Sequence, residues 1–329
     1  MAHLEGTSSY SPTLGRVRAL LIVNPRATST TQLRRDVIAR ALASELDLEV
    51  VQTRYRGHAS TFAADATRDG YDLIVTLGGD GTVNETVNGL LHATLPAAGP
   101  QPARPALAAI PGGSANVFTR ALGLPADAVD ATGRILAALV GGRERSINVG
   151  LADDRYFTFN AGLGFDAEVV RAVEGLRADG QTATAGLYLW TAIRHFYAVT
   201  NRRQPALSMD TDGGSVADRL FLAIVSNAAP WTYLGRRPVN PSPAAGFDCG
   251  LDVFALRSLN TLHTLNTLRQ MLNASGASPT GKHIVSVHDQ KRFMFRASHP
   301  IAFQVDGEYV GERECVTFQS VPDALRVIA

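Results

Sequence analysis

Leu73-Ile74-Val75-Thr76-Leu77 runs directly into Gly78-Gly79-Asp80-Gly81-Thr82-Val83-Asn84-Glu85, and Val87, Leu90 and Leu91 then follow at helical spacing. The apolar run reads as a strand buried on both faces, and the later recurrence as one face of a helix. Strand, glycine-rich turn and helix thus stand in the order that a phosphate site needs. Glycines let the backbone approach phosphate oxygens closely, and the helix N-terminus offers unpaired N–H donors and a favourable dipole. Thr82 is placed to cap the helix or to donate to a phosphate oxygen. The plainer reading, a tight connection and no more, leaves two carboxylates, a hydroxyl and an amide crowded on one turn without a purpose.

The flanking sequence repeats the pattern. Ala19 to Val23 is an apolar run that ends at Asn24-Pro25, a strand followed by a turn. Leu33, Val37, Ile38 and Ala41 recur as a helix face, Leu48 to Thr53 reads as a strand, and Ala59 to Arg68 as a helix. Leu107 to Pro111 forms a fourth strand and opens into Gly112-Gly113-Ser114-Ala115-Asn116-Val117-Phe118, a second glycine turn before a helix. Such alternation predicts a parallel sheet covered by helices on both faces. Two glycine turns on one such sheet fall at its carboxyl edge, where open α/β sheets bind ligands.

Near Ser146 the texture changes. Short β-like runs dominate: 156–159, 220–225, 251–256, 284–287, 293–296 and 301–305, with helices expected only at 184–199 and 262–272. Grouped strands predict a mainly antiparallel second domain. The expected division is a nucleotide-type α/β domain over 1–145 and a β-rich domain over 146–318, with the tail from about 319 to 329 packing back onto the first.

Composition sets limits. The formal net charge of +1 across 329 residues gives no bulk electrostatic case for nucleic acid. Cys249 and Cys315 cannot staple a chain of this size, so a reducing compartment, the cytoplasm, is the simpler expectation. Met1 to Gly15 lacks the apolar core of a signal peptide, and no apolar run reaches the roughly 18–20 residues of a spanning helix. The eight His residues show no metal-ligand spacing with a carboxylate partner. Gly276-Ala277-Ser278-Pro279-Thr280-Gly281-Lys282-His283 imitates a P-loop. His283, however, stands where a hydroxyl should bind magnesium, and the stretch follows a helix instead of preceding one, so it reads as a loop.

The two glycine turns together resemble the nucleotide site of the diacylglycerol kinase catalytic family, which includes bacterial lipid kinases and sphingosine kinases. Four other stretches agree in order: Asn24-Pro25; Thr53 with Gly57-His58-Ala59; Phe159-Asn160-Ala161-Gly162-Leu163-Gly164-Phe165-Asp166; and Val305-Asp306-Gly307-Glu308. The resemblance implies an active-site cleft between the two domains. It implies that ATP contacts Asn24, Thr53, Gly78, Gly79, Asp80, Gly81, Thr82, Val83, Asn84, Gly113, Ser114 and Asn116. Asp306 would take the proton from a lipid hydroxyl, while Glu308 and Asp80 organise magnesium and its waters. Locally, Asp306-Gly307 between two β-like runs also reads as a plain hairpin turn.

Two positions depart from the family. Val117 stands where an Asp commonly follows the Asn of the second glycine turn, and Cys249 where a structural magnesium site expects an Asp. Asp248 or Asp252 is the expected substitute, since a thiol is a poor magnesium ligand. The resemblance further implies a lipid partner, diacylglycerol first, met transiently at the inner membrane surface. A homodimer through a free β-edge is an open expectation. Leu187, Leu189, Trp190, Ile193, Phe196 and Tyr197 read as buried core or, alternatively, as the lining of a lipid slot beside Arg202-Arg203; Trp231, Tyr233 and Arg236-Arg237 form a second candidate rim. Two rivals stay open: a kinase of the NAD kinase type, which shares the first glycine motif, and a non-catalytic lipid- or nucleotide-binding protein.

Overall fold

The computed structural model describes residues 16–27, 31–93, 103–178, 204–273 and 276–329, together with Thr191 and Arg194. The first unit runs β1 (Arg18–Val23), α1 (Gln32–Glu45), β2 (Asp47–Gln52), α2 (His58–Arg68), β3 (Leu73–Gly78), α3 (Asp80–His92), β4 (Ala106–Pro111), α4 (Val117–Ala121) and α5 (Ala128–Val140). Its sheet is parallel in the order β2-β1-β3-β4. Strand period explains the layers. Leu20, Ile22, Ile74 and Leu107 point to one face with α2 and α3, whereas Leu21, Val23, Val75 and Ala108 point to the other with α1 and α5. Thr31 on α1, Asp127 on α5 and Asn260 on a later helix cap those helices from the N-cap position with their side chains.

The second unit comprises β5 (Arg145–Ala152), β6 (Arg155–Phe157), β7 (Asn160–Gly164), α6 (Phe165–Ala178), β8 (Leu207–Thr211), β9 (Gly214–Leu220), β10 (Leu222–Ser226), β11 (Thr232–Leu234) and β12 (Arg237–Val239). It continues with β13 (Leu251–Leu256), α7 (Thr261–Met271), β14 (Ile284–Gln290), β15 (Arg292–Val305) and β16 (Glu308–Val327). Strands β14-β13-β10-β7-β15-β16 are neighbours in that order, and their pairings are antiparallel. Stacked and edge-on rings of Phe293, Phe295, Phe303 and Phe318 fill the core of this unit.

β16 links the units. It pairs with β15 at one end, with β5 along Phe318 to Val327, and with β4 through Val327 opposite Leu107. The Ile328 N–H then donates to the Leu107 carbonyl at 3.0 Å. The two sheets are thus continuous through this strand.

The α/β-then-antiparallel reading agrees with the observed architecture, and the differences are local. The run expected as one strand over 156–159 is split, because Thr158 and Phe159 leave the ladder and turn their N–H groups onto Asp306. α6 was not expected; its first turn carries Asp166 and Glu168, acids that favour a helix N-terminus. β8, β9, β11 and β12 were likewise not foreseen. The helix expected at 184–199, with its proposed lipid-lining residues and Arg202-Arg203, lies outside the described residues apart from Thr191 and Arg194. The P-loop imitation over 276–283 is a loop between α7 and β14.

Candidate active site

The two glycine turns lie side by side at the carboxyl ends of β3 and β4. Gly112 N–H donates to the Gly78 carbonyl at 2.8 Å, and a Cβ on Gly113 would stand 2.7 Å from the Gly79 Cα. Only bare backbone allows that approach. Asn116, in the left-handed region at φ 48°, closes the second turn by donating to the Gly113 carbonyl and accepting from the Gly113 N–H, both at 2.8 Å.

Asp80 heads α3 and accepts from the Val117 and Phe118 N–H groups at 3.0 and 3.1 Å. It therefore caps α4 from across the turn. Burial pushes its carboxyl up to about 6, against the pull of those two donors. Val117 serves this arrangement through its backbone. Thr82 does not cap α3, since the N-cap position is Gly79 without a side-chain bond. Its Oγ1 instead accepts from Asn24 Nδ2 at 3.1 Å, because a residue in the first turn points away from the N–H groups it would have to satisfy.

Asp306 is the most heavily bonded carboxylate of the site. Oδ2 accepts from Asn84 Nδ2, Thr158 N and Thr158 Oγ1 at 2.7–2.8 Å, and Oδ1 from Phe159 N and Asn160 N at 3.0 and 3.1 Å. The residue sits at φ 47° and is buried. Burial raises its pKa and the donors oppose the rise. Five donors exceed the roughly four lone-pair positions of a carboxylate, so a substrate hydroxyl reaches Asp306 only by displacing one.

Glu308 lies beside it, half-buried. Its Oε2 accepts from Arg155 Nη2 at 2.9 Å and Arg56 Nη2 at 3.1 Å. Oε1 lies over Gly81, where an added Cβ would come within 2.5 Å of it. Arg155 also donates to Asn84 Oδ1 at 2.9 Å, joining α3, the β5–β6 hairpin and β16 in one network.

One cavity of about 1110 Å³ connects these groups. Its polar part holds Asn24, Thr53, Arg56, Gly79 to Thr82, Gly113 and Ser114, and Asp306 and Glu308 also line it. Its other part is an apolar wall built by Val169 and Val170 of α6, Ile224 of β10, Phe254 of β13 and Leu268 and Met271 of α7. Trp231 and Tyr233 border it, and the Arg120 guanidinium stacks 3.1 Å from the centroid of the Tyr233 ring, tying the β11–β12 hairpin to α4. Among the expected nucleotide contacts, Gly78, Val83, Asn84 and Asn116 stand behind the cavity wall: Val83 is core, and Asn84 braces Asp306.

Magnesium fits this site in part. Glu308 Oε1 offers one carboxylate oxygen beside the phosphate turn, the sparse protein ligation that nucleotide-bound magnesium uses. Asp80 has both oxygens on backbone N–H groups. Among the described residues no three His, Cys, Asp or Glu side chains converge as a metal site. The second-domain position does not fit. Asp252 is buried with Oδ1 2.7 Å from His288 Nδ1 and 3.1 Å from the Asp289 N–H, Asp248 is exposed, and the Cys249 thiol donates to the Gly246 carbonyl.

Sequence reasoning gave no site role to Arg56, Arg155 or Asp166, the last of them quoted only within the Phe159–Asp166 stretch. Arg56 lies three residues after Thr53, in a stretch already singled out. Arg155 carried no signal, because only the fold brings it to Glu308. Asp166 is buried, accepts from Gln304 Nε2 at 2.8 Å, and is pushed up to about 6 by desolvation.

The glycine turns at the parallel-sheet edge and the antiparallel unit thus line one cavity, polar where the turns meet it and apolar along α6, β10, β13 and α7. Residues 18–152 match the diacylglycerol kinase catalytic domain family. A diacylglycerol kinase of Bacillus subtilis strain 168 is 27% identical over 310 residues, spanning 89% of this chain and 90% of its own. One from Staphylococcus saprophyticus is 34% identical over 146 residues, and this chain spans only 43% of its length. The crystal structure of a diacylglycerol kinase from Bacillus anthracis str. Sterne shares the fold, with a TM-score of 0.66 at 22% identity over 95% of this chain and 97% of that one. An NAD kinase from Archaeoglobus fulgidus in complex with ATP has a TM-score of 0.50 at 14% identity, over 94% of this chain and 93% of its own.

Proposed function

We propose that the protein is an ATP-dependent lipid kinase that transfers the γ-phosphoryl group to a lipid hydroxyl, diacylglycerol first among the acceptors, giving phosphatidic acid. The carrying observation is that one cavity is lined by the glycine turns, by Asp306 and Glu308, and by an apolar wall. The nucleotide phosphates lie along Gly79 to Thr82, Gly113 and Ser114, and the acyl chains lie against α6, β10, β13 and α7. Asp306 takes the hydroxyl proton as the acceptor oxygen bonds to phosphorus and the bond to the departing ADP breaks. A pKa raised by burial suits it to that task. Arg56 and Arg155 hold Glu308 in place. Magnesium supplies charge compensation on the phosphates, and Glu308 Oε1 is the oxygen that would hold it.

The protein would work in the cytoplasm and visit the inner membrane surface, and β14 offers a sheet edge at which two copies would pair. Labelled ATP, magnesium and micelles carrying a panel of lipids test the reading, with Glu308→Gln and Asp306→Asn beside the wild type. Phosphate on one lipid, lost in both variants, supports it and names the acceptor. Transfer to NAD in place of any lipid sinks it, and so does bound ATP with no transfer. The apolar wall disfavours NAD, whose sugars and phosphates have no partners there.

A further inference from the structure

α7 carries Leu262, Leu265, Leu268 and Met271, each three residues from the last. Each such step turns back about 60° around a helix, so the row winds from one face at Leu262 to the opposite face at Met271. The structure follows this course. Leu262 is 76% exposed and Leu265 58% exposed, whereas Leu268 and Met271 line the apolar end of the cavity. Leu265 does both, so the cavity mouth opens beside the exposed leucines.

The segment that carries this mouth bears charge of one sign. Between Val253 and His288 the sequence contains Arg257, Arg269 and Lys282 and no Asp or Glu. Arg257 is paired with Asp218 at 3.0 Å. Arg237 donates to the Leu272 carbonyl at the end of α7, at 3.0 and 2.7 Å. The loop bearing Lys282 is folded against the helix through paired bonds between Gln270 and Thr280 and a His263–His283 ring contact at 4.6 Å. Exposed leucines framed by cations at the opening of an apolar cavity match the chemistry of an anionic bilayer, apolar beneath and phosphate-bearing at its surface. A second copy of the chain on a two-fold axis would bring like cations face to face.

We propose that this face of α7 docks on an anionic bilayer, with Leu262 and Leu265 entering the acyl region and Arg237, Arg269 and Lys282 meeting the headgroups. The acceptor then passes from the bilayer into the cavity without crossing water. This inference rests on the lipid kinase reading for its purpose, though not for its test.

The full chain is floated with vesicles of phosphatidylcholine alone and of equal parts phosphatidylcholine and phosphatidylglycerol. The wild type binds the anionic vesicles preferentially. Leu262→Asp loses at least about tenfold in partitioning, from the forfeited leucine burial, with its melting temperature unchanged because the site is exposed. Arg269→Ala loses about fivefold, on the anionic vesicles only. Equal wild-type binding to both compositions overturns the proposal, as does wild-type binding by Leu262→Asp. So does a dimer that Leu262→Asp splits in sedimentation velocity while vesicle binding persists. Phosphorylation of a short-chain diacylglycerol dissolved as monomers separates the two readings. Leucine-dependent vesicle binding without that activity sinks the kinase reading and leaves the docking face standing. Activity on the monomer that Leu262→Asp preserves, while losing activity on vesicle-embedded acceptor, supports both.

Discussion

Replacing Gly113 with Ala tests whether the contact between the two glycine turns shapes the phosphate site. The added Cβ would stand 2.7 Å from the Gly79 Cα and 3.1 Å from Asn116 Oδ1. Carbon atoms rest about 3.5–4.0 Å apart, so the turns must separate by roughly 1 Å. Gly113 is not in the left-handed region, so the penalty is steric alone. Overpacking of this kind costs about 1–3 kcal/mol. At about 2.1 cal/mol/K of unfolding entropy per residue, the 329-residue chain would melt about 1.5–4 °C lower. The same displacement falls on the turns that would hold the phosphates in the proposed kinase, where about 1 Å costs on the order of a hundredfold in rate. Activity should therefore fall far more than stability. Calorimetric ATP binding, steady-state phosphoryl transfer and thermal unfolding read the three effects. Gly133→Ala in α5 is the control: nothing lies within 4 Å of its added Cβ, and it should gain about 0.5–1 kcal/mol with activity intact. Wild-type turnover and ATP affinity in Gly113→Ala would refute the reasoning.

Asp166→Asn removes a buried carboxylate raised to about 6 from 3.8, and Asn can still accept from Gln304. Because the folded pKa lies above the unfolded one, the wild type loses stability as pH rises from about 4 to 6 and does not regain it above. The variant should be the more stable at pH ~8, by up to about 3 kcal/mol, with the advantage gone below pH ~4; denaturant titrations across that range check it. Asp306→Asn places an amide among five donors and should cost about 2–4 kcal/mol of folding stability, whereas Glu308→Gln, half-buried, should melt within a degree or so of wild type. Equal melting of the two would mean that the Asp306 network does not brace the cleft. A chelator should leave the melting temperature of the nucleotide-free protein unchanged, because Asp252 is engaged by His288 and Cys249 stands beside it. A drop of several degrees would reveal a structural metal in the second unit.

What could be read from the sequence was local. Leu73 to Glu85 announces its own strand, turn and helix, since apolar runs, glycines and helical spacing act within a dozen residues. Its neighbour at Leu107 to Phe118 does the same, and together they fix the parallel sheet and the edge where a ligand binds. The direction of each polar group was not legible. Thr82 could cap its helix or face outward, and only Asn24, 58 residues earlier, decides it. Asp80 read as a metal-organising carboxylate, yet its donors are the backbone N–H groups of Val117 and Phe118, brought there by the pairing of β3 with β4. Arg155 meets Glu308 across 153 positions and leaves no periodic trace. α6 was legible in principle, since Ala167, Val170 and Val173 recur at helical spacing and are buried.

β16 has a consequence for how the chain is made. The segment over 18–152 contains β4 and β5; β4 has β3 on one side, but both strands take a further partner, β16, from residues roughly 170 to 220 positions further along. A ribosome that has released only that segment presents two buried-type strands with an open side. Translation must continue almost to Val327 before this edge is covered. The stretch recognisable as a family is thus not a self-sufficient folding unit. Expressed alone, it should aggregate or recruit a strand from a neighbour, and supplying 308–329 as a separate peptide should restore it.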